Sequence, residues 1–365
     1  MQLYLHIPFC HRICPYCSFY KHTPGSTDMR AFSDAILLEA RNHVQKLGEN
    51  KLTTLYCGGG TPSMLSPTHL KLLFSGLREI FDFSDLKEVT FEANPATFDL
   101  SKAKLFKELG VTRISLGIQS FDNGVLKTLG REHSREEAIA AVPILREAGI
   151  KEVNIDLMFS IPGQSLEVWQ DTLDTAVSLK PDHISAYNLT YEEDTEFIDK
   201  LTTGEYKDDV ETNAQMFTAG HDTLTAADFE HYETSNYAKR GTRSTHNLSY
   251  WKGSNYLGLG PSAVSTVGNT RWKNLPDTAN YIKQINHVGH AQTEIEHLNE
   301  EELHLEKIAL QLRTSDGLPL DVLSQVERQR AQSVIDEGLA RVDGGKMILI
   351  GEGRLLVDSI VEHIV

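Results

Sequence analysis

The sequence has little cysteine, no long apolar run and a deficit of positive charge. Four cysteines in 365 residues are too few for the disulfide framework of a small secreted domain. No segment approaches the roughly 20 apolar residues that span a bilayer, so an integral membrane segment is not expected, although peripheral association stays open. The net charge is −16, from 35 Lys and Arg against 51 Asp and Glu. Such a surface repels a phosphate backbone, so nucleic acid is not an expected partner.

The apolar start of the chain, 3–9, is too short for a signal peptide. The expected location is therefore the cytoplasm, where thiols stay reduced. Three of the four cysteines fall within eight positions. In a reducing compartment, this clustering indicates a metal site rather than disulfides.

The first half of the chain alternates short apolar segments with longer amphipathic ones, which predicts a parallel sheet covered by helices. Right-handed crossovers would wind such a sheet into a barrel or a partial barrel. Strands are predicted at 3–7, 53–57, 88–93, 113–118, 152–159 and 183–189. Helices are predicted at 31–47, 69–81, 135–149 and 165–179, with a further helix at 208–228.

The pattern changes after about residue 195, and it divides the chain into three predicted parts. Residues 1–230 form the α/β core, and 231–299 form a connecting segment rich in Gly, Asn, Tyr and Trp. In 300–365, helices followed by a turn and a strand pair predict a small winged-helix-like domain. Acidic residues are abundant there, so we expect a lid or a partner-docking module rather than a DNA-binding one.

The unusual residue clusters all lie where a predicted strand ends. In folds of this type, the loops after the carboxyl ends of the strands build the active site. The sequence therefore predicts that one rim of the barrel carries the function. The clusters are the cysteines at 10–17, GGGTPS at 58–63, EANP at 92–95, GIQSFD at 117–122 and IDLMFSIPGQS at 155–165.

The cysteine cluster has the spacing C-x3-C-x2-C, at Cys10, Cys14 and Cys17. Thiolates bind zinc or the iron of an iron–sulfur cluster. Zinc would need a fourth ligand, which a nearby histidine could supply, and three buried thiols without a metal are also possible. A four-iron cluster held by three cysteines would leave one iron open. That arrangement is useful only if a small molecule ligates the open iron. The fourth cysteine, Cys57, is interpreted as a buried core residue.

Other strand ends offer groups suited to such a small molecule. The glycines at 58–60, with Thr61, expose backbone N–H and C=O groups that could hold an amino-acid end, although a plain tight turn is as good an interpretation. Glu92 could pair with an ammonium or a ribose hydroxyl. Gln119, Arg131 and Asp156 add polar groups on the same rim, where each alone would more often be a surface or capping residue.

The motifs HIPFC-x3-C-x-Y-C, GGGTPS, FEANP, RISLGIQSF, LGR-x-H and NIDLM-x-x-IPGQ strongly resemble radical S-adenosylmethionine (SAM) proteins of the coproporphyrinogen-oxidase-like group. The resemblance covers essentially the whole chain and implies a partial (β/α)6 TIM-like barrel. It implies that Cys10, Cys14 and Cys17 hold a [4Fe–4S] cluster whose fourth iron is chelated by SAM. In that family, one electron from the reduced cluster cleaves SAM and releases a 5′-deoxyadenosyl radical.

The resemblance also implies roles for single residues of this sequence. Positions that contact a first SAM are Tyr4, Gly59, Glu92 and the segment around Val264. Positions that hold a second SAM in the oxidases are Tyr16, Gly60, Thr61, Gln119, Arg131 and Asp156. Thr190 matches a further SAM-contacting position, whose backbone is expected to make the contact.

Two subgroups share this core, the oxygen-independent coproporphyrinogen III oxidases and a heme-chaperone subgroup. The oxidases have a further cysteine where this chain has Phe19, and an N-terminal segment for which there is little room before Cys10. The run His246-Asn247-x-x-Tyr250-Trp251 matches a motif associated with heme in the chaperones. The resemblance therefore implies heme ligation by His246, since imidazole is a common axial ligand. The alternative is that this run packs the second domain against the barrel.

The sequence departs from the chaperone pattern at two places. Ser244-Thr245 replaces a cysteine that often precedes the motif, and Val264 stands where a histidine often follows GxGA. At the second of these places, the segment around Val264, the sequence is closer to the oxidases than to the chaperones. The expected function is a heme chaperone that binds a [4Fe–4S] cluster, SAM and heme, takes one electron from a reductant, and delivers heme to respiratory heme proteins. The alternative is an oxidase that decarboxylates coproporphyrinogen III to protoporphyrinogen IX.

Overall fold

One 12-stranded sheet organises most of the chain in the computed structural model, which describes residues 1–365. Six strands are parallel to one another, β1 (Gln2–Ile7), β2 (Thr54–Gly59), β3 (Glu88–Ala93), β4 (Arg113–Gln119), β5 (Glu152–Phe159) and β6 (His183–Asn188). The flanking strands are β7 (Glu230–His231), β8 (Asn236–Ala238), β9 (Tyr256–Leu259), β10 (Val264–Val267), β11 (Thr270–Asn274) and β12 (Gln292–His297). The spatial order is β12-β11-β10-β9-β1-β2-β3-β4-β5-β6-β8-β7.

Helices connect the parallel strands, and most of them begin at an Asp or Ser whose side chain caps the first turn. None of the helices is both long and apolar enough to cross a bilayer. The helices up to residue 288 are α1 (Met29–Leu47), α2 (Pro67–Ile80), α3 (Leu100–Glu108), α4 (Asn123–Thr128), α5 (Arg135–Glu147), α6 (Leu166–Ser178), α7 (Glu196–Thr202), α8 (Val210–Ala226), α9 (Thr245–Trp251) and α10 (Thr278–Val288). Short 3₁₀ turns lie at Pro62–Met64 and Pro95–Thr97.

The parallel strands alternate apolar and polar side chains, which separates an outer from an inner face. Apolar residues such as Leu55, Phe91 and Ile155 are buried in the main core of 55 residues, together with residues of the surrounding helices. The alternate positions carry polar side chains such as Tyr56 and Glu92, which hydrogen-bond to one another. The barrel therefore has an apolar outer layer and a polar lumen.

The predicted fold class is confirmed, and the six predicted strands agree with β1 to β6 to within two residues. Residues 231–299, predicted as a connecting segment, contribute most of the flanking strands, and β9 pairs in parallel with β1. The domain boundaries at residues 230 and 299 stay predictions.

The last part of the chain has its own core of 13 buried residues between Ile308 and Ile364. Its helices are α11 (Glu300–Leu312), α12 (Gln325–Asp336) and α13 (Val357–Ile364), and its three-stranded sheet consists of β13 (Leu318–Pro319), β14 (Ala340–Asp343) and β15 (Lys346–Leu349). Short 3₁₀ turns lie at Leu320–Val322 and Gly351–Arg354. The predicted strand pair is present as β14 and β15. It is followed by a helix that was not predicted, α13, in which apolar residues recur at helical spacing.

The C-terminal part packs near the amino-terminal ends of the barrel strands. The amide of Ser315 donates to the carbonyl of Tyr232 (2.9 Å). The hydroxyl of Tyr232 lies 2.7 Å from Nε2 of His183, the first residue of β6. Arg243 pairs with Asp316 at 2.9 Å. The cysteines lie beyond the opposite ends of the strands. The expectation of a lid over the site is therefore wrong, whereas partner docking stays a prediction.

Candidate cluster and cofactor site

The three clustered cysteines lie on the loop between β1 and α1, which we call the cluster loop (residues 8–28). Backbone hydrogen bonds close its base, from the amide of Cys10 to the carbonyl of His22 (3.0 Å) and from the amide of His22 to the carbonyl of Pro8 (2.8 Å). The amide of Cys17 donates to the carbonyl of Cys14 (3.2 Å), which makes a turn between these two cysteines. All three thiols are free and half-buried. The loop thus presents three thiols at the mouth of the barrel.

Side chains from other loops reach two of these sulfurs. The hydroxyl of Thr61 lies 3.5 Å from Sγ of Cys10, and Nη1 of Arg131 lies 3.7 Å from Sγ of Cys14. Burial raises the pKa of the Cys10 and Cys17 thiols. No three His, Cys, Asp or Glu side chains are placed to share one metal ion. Zinc needs its ligands around one point, whereas an iron–sulfur cluster takes each cysteine on a separate iron, so the arrangement as it stands suits the cluster better.

The loop that contains glycines 58–60, which we call the glycine loop, packs directly on the base of the cluster loop. At Gly59 φ is +107°, and a Cβ there would overlap the ring of His6. A Cβ at Gly60 would lie 2.7 Å from the carbonyl carbon of Pro8. Only glycine permits these approaches. The amide of Gly60 donates to the carbonyl of Ile7 at 2.8 Å. The amide of Gly60 is therefore occupied by β1, and the amide of Thr61 donates to the carbonyl of Phe9 in the cluster loop (2.8 Å). These two N–H groups are not free for a ligand as the sequence suggested.

Glu92 projects into the lumen from β3, and its hydrogen-bond partners are neutral groups. It accepts from the hydroxyl of Tyr56 (2.8 Å) and from the amide of Gly59 (3.1 Å). Burial, together with the negative charge of Asp156, raises the pKa of Glu92 to about 7. A cation bound in the lumen would favour the ionised carboxylate.

Asp156 on β5 is a second lumen carboxylate with neutral partners. Ser115 donates to Oδ2 (2.8 Å) and the amide of Asn154 donates to Oδ1 (2.7 Å). Burial raises the pKa of Asp156 despite these hydrogen bonds. Two carboxylates facing one lumen without a cationic hydrogen-bond partner suit a positively charged ligand.

Arg131 supplies the opposite charge at the mouth. Its Nη2 donates to the carbonyl of Gly117 (2.6 Å), and its Nε is buried without a partner. Gln119 adopts φ +70° where β4 is irregular, and a Cβ at Gly117 would lie 3.2 Å from its side-chain nitrogen. A guanidinium with a spare donor suits a carboxylate ligand. Together with the two lumen carboxylates, it matches the ammonium and carboxylate groups of an amino-acid end such as that of SAM.

Comparison with known proteins shows where this site belongs. A model of the Radical SAM superfamily matches residues 4–176. Heme chaperone HemW from Mycobacterium tuberculosis (strain H37Rv) is 36% identical, over 98% of this chain and 93% of its own. Heme chaperone HemW from Bacillus subtilis is 35% identical, over 86% of this chain and 84% of its own. The chain belongs to the HemW family. The resemblance expected from the sequence is thereby confirmed.

The solved structures support the fold of this HemW-family chain. Coproporphyrinogen III oxidase (HemN) from Escherichia coli matches with a TM-score of 0.84 at 23% identity, over 100% of this chain and 89% of its own. At this identity, the likeness shows the fold alone. The radical SAM superfamily implies a [4Fe–4S] cluster and SAM, and the charges around the lumen fit that cofactor pair.

The remaining predicted SAM positions of the HemW-family chain lie around the same mouth. The hydroxyl of Tyr4 lies 3.1 Å from Nδ1 of His6, below the cluster loop. Tyr16 lies on that loop with its ring 6.0 Å from the ring of Phe197. Thr190 is exposed two residues beyond β6, and Val264 begins β10. The structure thus brings the predicted SAM positions to one end of the barrel, and their roles stay predictions.

His246 does not join this group. It lies in α9 at the amino-terminal ends of the strands, where Nδ1 is 2.8 Å from the hydroxyl of Thr54 and Nε2 is 2.8 Å from that of Tyr250. The side chain is 0% exposed, and burial lowers its pKa to about 3. Both ring nitrogens are therefore occupied. The predicted ligation of heme by His246 stays a prediction, and it would require these hydrogen bonds to break.

Several polar residues that line the lumen were not predicted from the sequence. Ser115, Asn154 and Tyr56 contact the predicted carboxylates directly. His6 links Tyr4 to the cluster loop, because its Nε2 donates to the carbonyl of Tyr20 at 2.8 Å. The signal was present as strict alternation of polar with apolar residues in the strands, which is unusual for strands that helices cover.

Proposed function

We propose that this chain holds a [4Fe–4S] cluster through Cys10, Cys14 and Cys17, binds SAM beside it, and binds heme for delivery to an acceptor heme protein. The observation that carries the proposal is the presence of three free thiols on one loop at the end of the barrel where Arg131, with its unpartnered Nε, lies beside Cys14 and two carboxylates face the lumen. Heme binding and delivery are inferred from the HemW relatives, which are described as heme chaperones.

The residues around the lumen would orient SAM by charge. Arg131 would hold a carboxylate, while Glu92 and Asp156 would favour the ammonium or sulfonium. Gly59 and Gly60 allow their loop to pack closely on His6 and on the base of the cluster loop, and this packing brings Thr61 next to Cys10. When bound, the cluster supplies one electron for cleavage of SAM. The protein's part is to fix the cofactor and to limit access of water from the mouth.

Heme ligation by His246 is the part of the proposal that the fold constrains most. Iron at Nε2 would have to displace the hydroxyl of Tyr250, and α9 would have to move away from Thr54 to expose the ring. A heme bound there would lie at the opposite end of the barrel from the cluster loop. Heme binding through His246 is therefore expected to be slow and coupled to local opening.

The second candidate function is that of an oxygen-independent coproporphyrinogen III oxidase. The segment around Val264 favours it, because this segment is closer to the oxidases than to the chaperones. Phe19, at the position of the additional oxidase cysteine, opposes it. A cytoplasmic location, a one-electron reductant and an acceptor protein belong to the main proposal, since reduced thiolates need a reducing compartment.

One set of assays on the same preparation separates the two functions. After anaerobic reconstitution of the cluster, heme binding is measured by absorption in the wild type and in His246→Ala. Coproporphyrinogen III is then supplied with SAM and a reductant, and protoporphyrinogen IX is measured. We expect heme binding without turnover. Turnover at catalytic rates would contradict the chaperone proposal, and unchanged heme binding in His246→Ala would remove the proposed ligand only.

A further inference from the structure

We propose that the exposed side of the cluster loop is the docking surface for an acidic one-electron carrier protein. The surface consists of Arg12, Ile13, Phe19 and Lys21, which lie between and directly after the three cysteines. The inference rests on the proposed function, since it assumes that a cluster is held by those cysteines. It goes beyond that function in assigning the surface through which the electron arrives.

The first observation is the distribution of charge along the chain. Of the 365 residues, 51 are Asp or Glu, yet none of the first 27 is acidic. Within this stretch, the fixed charges are those of Arg12 and Lys21, both positive. Arg12 is exposed, and the ammonium of Lys21 reaches back to the carbonyl of Cys17. Up to residue 27, the cluster loop therefore carries two positive side chains and no acidic one, on a protein of net charge −16, and an acidic partner would be steered to it.

The second observation is the exposure of large apolar side chains on the same loop. Phe19 is 68% exposed, and Ile13 is 48% exposed. Interface cores are enriched in aromatic residues and depleted of charged ones, with charges at the rim. Two apolar residues flanked by Arg12 and Lys21 fit that arrangement on a small scale. Complexes of electron carriers bury little surface, below about 1,200 Å² in total, so a patch of this size is adequate.

The neighbouring rim loop limits where the carrier can lie. Residues 192–194 are Glu-Glu-Asp and exposed, and they precede α7, whose Phe197 amide donates to the carbonyl of Pro15 at 3.3 Å. This acidic segment therefore flanks the side of the cluster loop that carries Pro15 and Tyr16. An acidic carrier would be repelled there and would dock on the side of Arg12 and Phe19.

The redox step at this surface is the transfer of a single electron. The reduced carrier loses one electron and the oxidised cluster gains it, with no bond formed or broken and no proton required. Docking over the loop that holds the cluster shortens the path of that electron. A carrier of this kind is a flavin or iron–sulfur protein with an acidic surface.

Heme is the other occupant that the patch could take, through His11 and the apolar side chains. The observations favour the protein carrier, because acidic residues are absent from the whole solvent-accessible part of the cluster loop up to residue 27 rather than from a site the size of one macrocycle. Heme is therefore kept as an outcome of the test.

The test measures binding of a purified flavodoxin, an acidic FMN protein, to the cluster-reconstituted protein at low and at physiological salt. Arg12→Glu should weaken binding about fivefold or more at low salt, with a smaller effect at high salt. Glu193→Lys should strengthen it by a similar factor, since it removes an opposing charge. Lys346→Glu is the matched control, because Lys346 is exposed on β15 in the C-terminal part, and no change is expected.

The apolar contact is tested by Phe19→Ser, which should weaken binding at both salt concentrations. Val326→Ser, at a residue of α12 that is 56% exposed, is its control. Cluster absorbance and SAM binding are measured on every variant, so loss of the cluster is distinguished from loss of docking. Binding that is insensitive to Arg12→Glu, Glu193→Lys and Phe19→Ser in proteins with intact clusters would overturn the proposal. Loss of heme binding in Arg12→Glu and Phe19→Ser with flavodoxin binding retained would overturn it in favour of heme.

Discussion

The two ends of the barrel use polar residues in opposite ways. At the mouth, Arg131 has a buried nitrogen without a partner, and Glu92 carries a pKa raised to about 7 among neutral partners. At the opposite end, where the parallel strands begin and which we call the floor, Glu88 accepts from the amides of Thr245 (2.7 Å) and His246 (3.2 Å). Both ring nitrogens of His246 are occupied there. The mouth has spare hydrogen-bonding capacity, whereas the group around Glu88 and His246 uses its capacity within the protein.

This difference separates a ligand site from a structural one. Buried polar groups are normally satisfied, so groups left unsatisfied or electrostatically opposed indicate where a ligand binds. At the floor, Oε1 of Gln2 and one nitrogen of Arg113 are also buried without a partner, but the other terminal nitrogen of Arg113 pairs with Glu152 at 2.6 Å. Tyr56 connects the two ends, because its hydroxyl bonds to Glu92 while its ring lies 5.1 Å from that of His246.

The largest expected effect is at the mouth, in Cys14→Ser. A four-iron cluster with three cysteine ligands should not assemble stably when one thiolate is lost, so we expect loss of the visible absorbance and of bound iron. Cys57→Ala is the matched control, since Cys57 is buried in the core and should leave the iron content unchanged. Zinc retained at full occupancy in Cys14→Ser, measured by metal analysis, would contradict the cluster.

At the floor, His246→Ala should lower the free energy of unfolding by about 3 kcal/mol, because it opens a cavity and leaves two buried hydroxyls without partners. Thr54 and Tyr250 carry those hydroxyls. Denaturant unfolding measures the effect, and His297→Ala, at an exposed residue of β12, is the control. A variant as stable as the wild type that no longer binds heme would show that His246 acts as a ligand rather than as a brace.

Much of the fold could be predicted because its signals are local. Each parallel strand is a short segment with apolar residues at alternate positions, and each is followed by an amphipathic helix. The helix α3 (Leu100–Glu108) was not predicted, because its nine residues hold few apolar positions at helical spacing. The flanking strands β7 to β12 could not be predicted, because their place in the sheet depends on pairings between distant segments such as β1 and β9.

The site was predictable where a motif falls at a strand end, as with the cysteines and Glu92. The position of His246 was not predictable in this way. It depends on how the chain returns beneath the barrel after β8, where Glu88 accepts from the first amides of α9. Sequence spacing does not show whether the chain after β8 passes the amino-terminal or the carboxyl ends of the parallel strands. The occupied amides of Gly60 and Thr61 are likewise a result of tertiary contact, with Ile7 of β1 and with Phe9 of the cluster loop.

A smaller effect is expected at Glu92, at the mouth, where the pH dependence of stability reports on the buried carboxylate. The folded-state pKa of about 7 lies above the unfolded value of 4.5, so this residue's contribution to stability is present below about pH 4.5 and is lost as pH rises through 7. In the ligand-free protein, Glu92→Gln should remove about 2 kcal/mol of this dependence, since the open lumen screens the charge. It should also weaken SAM binding.

Urea unfolding between pH 5 and pH 8 measures the effect at Glu92. Glu79→Gln, at an exposed position of α2, is the control and should leave the slope unchanged. An unaltered slope in Glu92→Gln would mean that the carboxylate is not the group held near neutral pH. SAM binding unaffected by the substitution would remove Glu92 from the ligand site.

The smallest effect is expected from Thr61→Val, which keeps the shape of the side chain and removes its hydroxyl. That hydroxyl lies 3.5 Å from Sγ of Cys10, so the hydrogen bond is weak. Hydrogen bonds to the sulfurs of a cluster favour its reduced form, because they stabilise the added negative charge. Loss of about 0.5–1 kcal/mol would lower the reduction potential by roughly 20–40 mV, which an anaerobic redox titration resolves. A potential that stays constant would place the hydroxyl outside the hydrogen-bonding shell of the cluster, and Thr61 would then act at the mouth through SAM alone.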